Sequence, residues 1–331
     1  MSISTEEFRR VGSIVTNWRA PLLFTHVNPD GDALGCLVTM RSVLRRLGAQ
    51  PTAITFGTVP RQYNMLIERE PIPEFNDAVS SSELDRADGV LIMDTCALKQ
   101  LEPISQWLQR AQCPKVVLDH HVTRDSLADE YLIDEAASAS CLLIHEWACA
   151  CGWSIDAATA QALYIGIATD TGWFRFSNCD DRTHRAAAEL IARGVSPDVV
   201  YRRIEESESV ERVRLLGEAL NAMELDEDNR LAIMPITREL FAKTRTGPQD
   251  TENLINQAMR IESVEVAVLI ADVGEGSVKA SFRSKGKVDV ARLAAGFGGG
   301  GHVRAAGARF KDSLLAVKER IHAAIKQQLQ D

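Results

Sequence analysis

Short apolar runs that stop at a histidine or an aspartate constrain this chain more than any other feature. Val116-Val117-Leu118 leads into Asp119-His120-His121, Leu22-Leu23-Phe24-Thr25 into His26 and Asp30, and Val90-Leu91-Ile92-Met93 into Asp94. A helical apolar stretch containing Leu163 and Ile167 ends in the same manner at Asp170. In an open α/β sheet the crevice beyond the carboxyl ends of the strands is where ligands bind, so donors scattered from His26 to Asp170 can converge on one site.

Between Pro21 and Arg193 strand-like runs alternate with helical ones, the pattern of parallel βαβ units. The first crossover helix has apolar positions at Leu34, Leu37, Val38, Leu44 and Leu47, a 3.6-residue period, with Gly48 as its stop. Beyond Val195 the composition turns charged, and Val213, Leu216 and Leu220 carry a helical period between two acidic runs that are read as solvated faces. From Arg230 a second pattern begins, with strands expected at 231–234, 264–270 and 278–282 and helices at 251–261, 288–296 and 313–329. At 331 residues the chain exceeds the usual size of one domain. The expected fold class is α/β in two domains: a parallel-sheet domain over 1–193, a helical connector over 194–229 and a smaller α/β domain over 230–331, with the active site in the cleft between the domains.

A formal net charge of -9 argues against a long nucleic-acid duplex as partner, because sequence-independent phosphate binding needs a broad basic face. A small anionic substrate held by a few local cations fits. Met1-Ser2-Ile3-Ser4 is no charged-then-apolar leader, and no run of roughly 18 apolar residues occurs, so a cytoplasmic location away from membranes is expected. The seven cysteines, at 36, 96, 113, 141, 149, 151 and 179, are odd in number and lack a CxxC pair. They read as thiols of a reduced compartment, with Cys149 and Cys151 in an apolar helical stretch that begins near Ser140.

His26-Val27-Asn28-Pro29-Asp30-Gly31-Asp32 packs one imidazole and two carboxylates around a Pro and a Gly, a turn able to aim several donors at one point. Taken singly, Asp32 also serves as a cap for the following helix and Asp30 as a turn residue. Asp94 stands where a buried strand opens to solvent, and Asp170 stands against the negative end of a helix dipole, an objection that a nearby cation removes. Aspartate and histidine donors without cysteine favour Mn²⁺ or Mg²⁺ over structural Zn²⁺. Six candidate ligands exceed the need of one ion, and a pair of ions roughly 3.5–4 Å apart would share bridging carboxylates and activate a water, the usual setting for phosphoryl transfer.

These residues resemble the DHH phosphoesterase family, named for the triplet seen here as Asp119-His120-His121. The likeness runs along nearly the whole chain, through His26 to Gly35, Met93-Asp94-Thr95, Asp119-His120-His121 and Thr169-Asp170-Thr171-Gly172. The resemblance implies two Mn²⁺ ions, with Mg²⁺ or Co²⁺ as substitutes. His26, Asp30, Asp94 and Asp170 would bind one, and Asp32, Asp94, His120 and Asp170 the other, with a bridging hydroxide as nucleophile. It implies that Asp119 orients His120 and that His121 faces the scissile phosphate, stabilising charge or assisting the leaving oxygen.

The second domain is similar to the family's associated C-terminal domain through Ser281-Phe282-Arg283-Ser284 and Gly299-Gly300-Gly301-His302, followed by Arg304. Consecutive glycines let backbone N–H groups approach a phosphate, and Arg283, His302 and Arg304 supply local positive charge; Ser284 completes the substrate-binding set. Pyrophosphatases of the wider superfamily carry a different second domain, and the RecJ exonucleases are longer. The two-domain form is similar to the NrnA-type branch. That branch implies a hydrolase that acts on short oligoribonucleotides, giving 5′-mononucleotides, and on 3′-phosphoadenosine 5′-phosphate, and it implies a homodimer. Cyclic di-AMP or its linear product is the alternative substrate, and a non-catalytic nucleotide sensor the alternative class.

Overall fold

The apolar runs of the first half become the strands of one parallel sheet. The computed structural model describes residues 2–75, 84–122 and 124–330, with the side chains of His302 and Gln330 outside the described set. Strands β1 (Leu22–Val27), β2 (Thr52–Phe56), β3 (Val90–Met93), β4 (Lys115–Asp119) and β5 (Glu130–Ile133) lie in the order β2-β1-β3-β4-β5. All four neighbouring pairs are parallel. Because the chain places β2 on one side of β1 and then β3 on the other, the order reverses at β1/β3, the position where such sheets open a crevice. Phe24, Ile92 and Val117 share one row, so the three strands run out together and His26, Asp94 and Asp119 emerge at one edge.

Both faces of this sheet are buried, which is why its strands read as continuous apolar runs rather than alternating ones. On one face Leu23, Leu91, Val116 and Leu118 pack with residues of α1 (Thr5–Val15), α2 (Gly31–Arg46), α3 (Ser140–Cys151) and α4 (Ala157–Asp170), among them Val11, Leu37, Leu143, Trp147 and Leu163. On the other, Leu22, Phe24, Ile92 and Val117 pack with Leu101, Ile104 and Leu108. Gly48 follows α2 at φ 96°, a left-handed stop as its position in the sequence suggested. Helices α2 and α4 come close because two small residues face each other's helix. A Cβ on Gly35 would lie 2.6 Å from the Ala162 carbonyl oxygen, and one on Gly166 would lie 2.7 Å from Asp32 Oδ1.

The chain divides into two compact units, Met1–Ser207 and Glu208–Asp331. The segment expected as a connector is split by that division. Helix α6 (Pro197–Glu205), which follows α5 (Asp181–Ala192), belongs to the first unit and buries Val200 and Ile204; α7 (Val210–Asn221) belongs to the second. The residues that α7 buries are Leu215 and Ala219, whereas Val213 and Leu220 are exposed. The helical period at Val213, Leu216 and Leu220 is a helix, and of these three Leu216 packs against the core beside Leu215 and Ala219.

The second unit holds a six-stranded sheet in the order β10-β11-β9-β8-β7-β6, made of β6 (Glu224–Leu225), β7 (Leu231–Ile236), β8 (Val266–Gly274), β9 (Ser277–Ser284), β10 (Gly300–His302) and β11 (Ala305–Lys311). Only the β7/β8 pair is parallel. Of the helix expected at 251–261 only Ile255–Ala258 forms, after a 3₁₀ turn at Pro248–Thr251, while those near 288–296 and 313–329 form as α8 (Val290–Ala295) and α9 (Leu314–Gln330). Of the glycine run, Gly300 and Gly301 lie in β10. A Cβ on Gly299 would meet the Gly307 carbonyl oxygen at 2.1 Å, and one on Gly301 the Ala305 carbonyl oxygen at 2.5 Å, so both glycines permit close pairing with β11. Among the described residues no helix is long and apolar enough to cross a membrane.

The α2/α4 contact sets a test of the first unit's packing. Gly35→Ala forces a methyl group onto backbone that cannot swing away, and the expected loss is about 1–3 kcal/mol of stability in a denaturant titration. An unchanged midpoint would show that the two helices separate at little cost.

Candidate metal centre

The local fold explains how each donor is aimed. Between Phe24 and Val27 the pairing of β1 with β2 slips by one residue, a bulge that turns His26 out of the regular ladder. Asp30 then caps α2, its Oδ1 accepting from the backbone N–H groups of Asp32 and Ala33, each at 3.0 Å. Asp32 therefore does not cap the helix it begins. Its carboxylate crosses to α3 and accepts from the Ser140 N–H at 2.6 Å and the Cys141 N–H at 2.8 Å. Helix α3 has Ala139 at its N-cap, with no side-chain cap of its own, so Asp32 caps it from another element.

Asp94 is the hub. It directly follows β3 in left-handed backbone, φ 61°, a conformation that costs a non-glycine residue about 1–2 kcal/mol and that Asp and Asn tolerate best. Its Oδ2 lies 3.3 Å from His26 Nε2, and its Oδ1 lies 3.6 Å from His120 Nε2 and 3.9 Å from His121 Nδ1. Asp170, the last residue of α4, brings its Oδ2 to 3.3 Å from His120 Nε2. Asp30 Oδ1 stands 3.9 Å from His26 Nε2. Ser140, which motif and spacing did not single out, donates its hydroxyl to Asp94 Oδ1 at 3.0 Å, and the only signal for it was its place at the start of an apolar helix.

The histidine tautomers carry the electrostatic argument. His26 Nδ1 lies 2.9 Å from the Val27 carbonyl oxygen and His120 Nδ1 lies 3.1 Å from that of Ala137. A carbonyl only accepts, so each Nδ1 carries the proton and each Nε2 turns toward the carboxylates. An Nε2 lone pair facing carboxylate oxygens is repulsive unless a proton or a metal ion sits between them. The carboxylates say the same: burial, then the charges of Asp32 and Asp30, push both Asp94 and Asp170 well above the ordinary carboxylate range. Three sets of donor atoms lie within 4.8 Å of one another, His26 with Asp30 and Asp94, Asp32 with His120 and Asp170, and Asp94 with His120 and His121. The residues fit divalent metal: imidazoles fixed by a backbone carbonyl, oxygen donors in excess, and shared carboxylates. The thiols of Cys36 and Cys141 lie behind Asp32, and burial pushes the Cys36 thiol up to about 12.

Asp119 acts on a different ring from the one expected. Its Oδ1 accepts from the His120 and His121 backbone N–H groups at 2.8 and 3.2 Å and from His121 Nδ1 at 2.8 Å, while its Oδ2 is buried without a hydrogen-bond partner among the described residues. The carboxylate thus orients the His121 ring, and the Ala137 carbonyl orients that of His120. The hydrogen bond from Asp119 raises the pKa of the half-exposed His121 against the opposing effect of burial.

In the second unit Arg283, Ala305 and His302 share one row across β9, β11 and β10. The Arg283 guanidinium is largely shielded and donates to the Phe282 carbonyl at 3.1 Å; among the described residues no carboxylate pairs with it. Arg304 is exposed in the turn between β10 and β11, and the side chain of His302 lies outside the described residues. Ser284 differs from its expected role: its buried hydroxyl donates to Glu265 at 3.2 Å and accepts from the Gly286 N–H at 2.9 Å, which commits it to the fold.

Raised carboxyl values have a definite sign in stability. Without a cation the first unit loses stability as pH rises from the unfolded carboxylate range through the higher folded values of Asp94 and Asp170, and bound metal reverses this. Asp94→Asn keeps the left-handed backbone and the Ser140 hydrogen bond while removing a charge. It is expected to raise the melting temperature of the metal-stripped protein by a few degrees, on the order of 2–4 °C per kcal/mol, and to abolish the further rise expected of the parent chain on addition of a divalent ion. A lower melting temperature for the stripped variant would mean that the charge is already compensated.

Residues 22–167 match the N-terminal domain of the DHH family and residues 232–331 match the DHHA1 domain. The chain is 27% identical to the bifunctional oligoribonuclease and PAP phosphatase NrnA of Thermus thermophilus, over 98% of this chain and 95% of that protein. It is 26% identical to the Bacillus subtilis protein of the same description, over 87% and 88% of the two chains. Its fold is that of an exopolyphosphatase-related protein from Bacteroides fragilis, with a TM-score of 0.92 and 24% identity over 99% and 96% of the two chains. Exonuclease RecJ bound to manganese shares it more distantly, with a TM-score of 0.55 and 15% identity over 97% and 94%. With a carboxylate and histidine centre at the carboxyl edge of the first sheet and both domain types in order, the chain belongs to the DHH family of phosphate-ester hydrolases.

Proposed function

We propose that this hydrolase cleaves short oligoribonucleotides to 5′-mononucleotides and 3′-phosphoadenosine 5′-phosphate to AMP and phosphate, using a pair of Mn²⁺ ions. The observation that carries the reading is the gathering of His26, Asp30, Asp32, His120 and Asp170 around Asp94, with both ligand histidines turned Nε2-inward. Relatives described as acting on oligoribonucleotides and PAP align with nearly all of this chain, which supports the substrate class. When bound, divalent ions supply charge neutralisation for the phosphoryl oxygens and a nucleophile from water at neutral pH.

The chain's own residues do the rest. Asp94 is the carboxylate in reach of both halves of the donor set, Asp170 stands with Asp32 and His120, and Asp32 keeps coordinating capacity because each carboxylate oxygen accepts more than one bond. His121 keeps its Nδ1–H on Asp119, which leaves Nε2 for the substrate. Its raised pKa favours the protonated ring, able to donate to a phosphoryl oxygen or to the leaving oxygen. Arg283 supplies a positive charge with no counter-charge among the described residues, and the reading gives it a substrate phosphate, with Gly300 offering backbone at a place where a Cβ would meet no described atom within 4 Å.

Product analysis tests the reading. Purified protein with Mn²⁺ is offered a diribonucleotide, a long RNA, 3′-phosphoadenosine 5′-phosphate, cyclic di-AMP and pyrophosphate. Mononucleotides from the dimer and AMP from the bisphosphate are expected, with turnover lower by about 10²–10³ or more in Asp94→Asn. Preference for the cyclic dinucleotide would replace the substrate assignment, and undiminished turnover in Asp94→Asn would remove the metal assignment. Arg283→Ala is expected to raise KM about 10–100-fold with a smaller change in kcat, the effect of one lost charged hydrogen bond.

The His121 role predicts a pH effect. A proton on His121 is present below its folded pKa and lost above it, so activity should fall on the alkaline side as that pKa is crossed. Asp119→Asn removes the partner that raises it, and the alkaline limb of the kcat profile should move to lower pH. A limb that stays in place would assign it to another group.

A further inference from the structure

A second group of potential ligands lies on the helices of the first unit, away from the carboxylate centre. His145 and Cys149 stand four residues apart on one side of α3, and Glu189 comes from α5. His145 Nε2 lies 3.3 Å from Glu189 Oε2 and 3.9 Å from Cys149 Sγ, and the three donor atoms are all within 4.8 Å of one another. We propose that His145, Cys149 and Glu189 form a separate site for a zinc-class divalent ion, with water in the fourth position.

Three features of the group support a built site. Around a tetrahedral Zn²⁺ with its usual bond lengths, neighbouring nitrogen and oxygen ligands are about 3.4 Å apart and nitrogen and sulfur about 3.5–3.6 Å, so the two edges that meet at His145 differ from the ideal by no more than about 0.4 Å. The imidazole is buried at 4% exposure while Cys149 and Glu189 are exposed, which leaves the ion a path from solvent. A thiolate and a carboxylate with a neutral imidazole balance a doubly charged ion, and the other charges that act on His145, those of Glu146 and Arg193, are opposite in sign.

The frame is held without metal. Arg182 in α5 donates to both oxygens of Glu146 in α3, at 3.0 and 2.8 Å, and to Asp134 at 2.9 Å. Thr183 of α5 reaches the Ser138 hydroxyl at 2.9 Å. The two helices are therefore positioned before an ion arrives, which lowers the ordering cost of binding. The donor set also differs in kind from the carboxylate centre. A soft thiolate selects zinc-class metals, whereas the aspartates and histidines around Asp94 suit harder ions, so the two sites discriminate between metals by chemistry. Cys149 lies nine residues beyond Ser140, about 13 Å along α3, and the first turn of that helix holds Asp32 and Asp94. An ion at the far end ties α3 to α5 and stiffens the helix that frames the catalytic carboxylates.

Cobalt substitution tests the site without reference to activity. Metal-stripped full-length protein is titrated with Co²⁺ in the presence of excess Mg²⁺, which occupies the oxygen-rich centre. A sulfur-to-cobalt charge-transfer band in the near ultraviolet is expected to saturate at a single equivalent and to be displaced by Zn²⁺. It should vanish in Cys149→Ser and require at least about tenfold more Co²⁺ in Glu189→Gln. Both substituted side chains are exposed, and thermal unfolding of each variant checks its fold. Absence of the band in the parent protein overturns the proposal, as does a band of equal strength in Cys149→Ser, which assigns the thiolate to a different cysteine.

Discussion

Like charges packed at the end of a buried sheet are the constraint on which the first unit depends. Asp94 is nearly inaccessible, at 2% exposure, and Asp30, Asp32 and Asp170 stand close enough for their charges to act on it or on one another. No arginine or lysine is paired with these carboxylates among the described residues; their neighbours are imidazoles. A fold that assembles this group without internal cations is completed by an external one, and the destabilisation is the physical counterpart of affinity for metal.

The carboxylates also hold the fold together. Asp30 caps α2 and Asp32 caps α3, and Asp94 takes the hydroxyl of Ser140, so three of the candidate ligands tie two helices to the sheet edge. Small residues make this approach possible. Gly166 in α4 sits directly against Asp32, and Gly35 in α2 against the backbone of α4, where any side chain would push the helices apart and carry the carboxylate with them. The position of the charges and the packing of the helices are therefore one problem. In the second unit Gly301 of β10 likewise serves close backbone pairing.

Much of the architecture was legible because its signals are local. Short apolar runs marked three of the five parallel strands, β1, β3 and β4, and Gly48 marked the end of α2. The run at Asp119-His120-His121 pointed to a strand end with donors beyond it, and β4 ends at Asp119. The legibility failed where a pattern had more than one solution. α7 carries apolar residues on several sides, and the side it buries is chosen by the second unit's core at Leu215 and Ala219. Composition gave no strand for the glycine run, yet its place beside β11 makes part of it an edge strand, because pairing depends on a partner elsewhere in the chain.

By itself the sequence determined which residues could act as donors and that they would lie at the ends of buried elements, since periodicity and residue type are properties of neighbouring positions. Only the tertiary structure decided what each donor touches. Asp32 bonds to Ser140 across 108 positions, and His120 to the Ala137 carbonyl while its neighbour His121 takes Asp119. His145 and Cys149 meet Glu189 only because Arg182 and Thr183 dock one helix on another. Such contacts are set by the angle and distance at which helices pack, and those follow from the shape of the whole core rather than from any local stretch of chain.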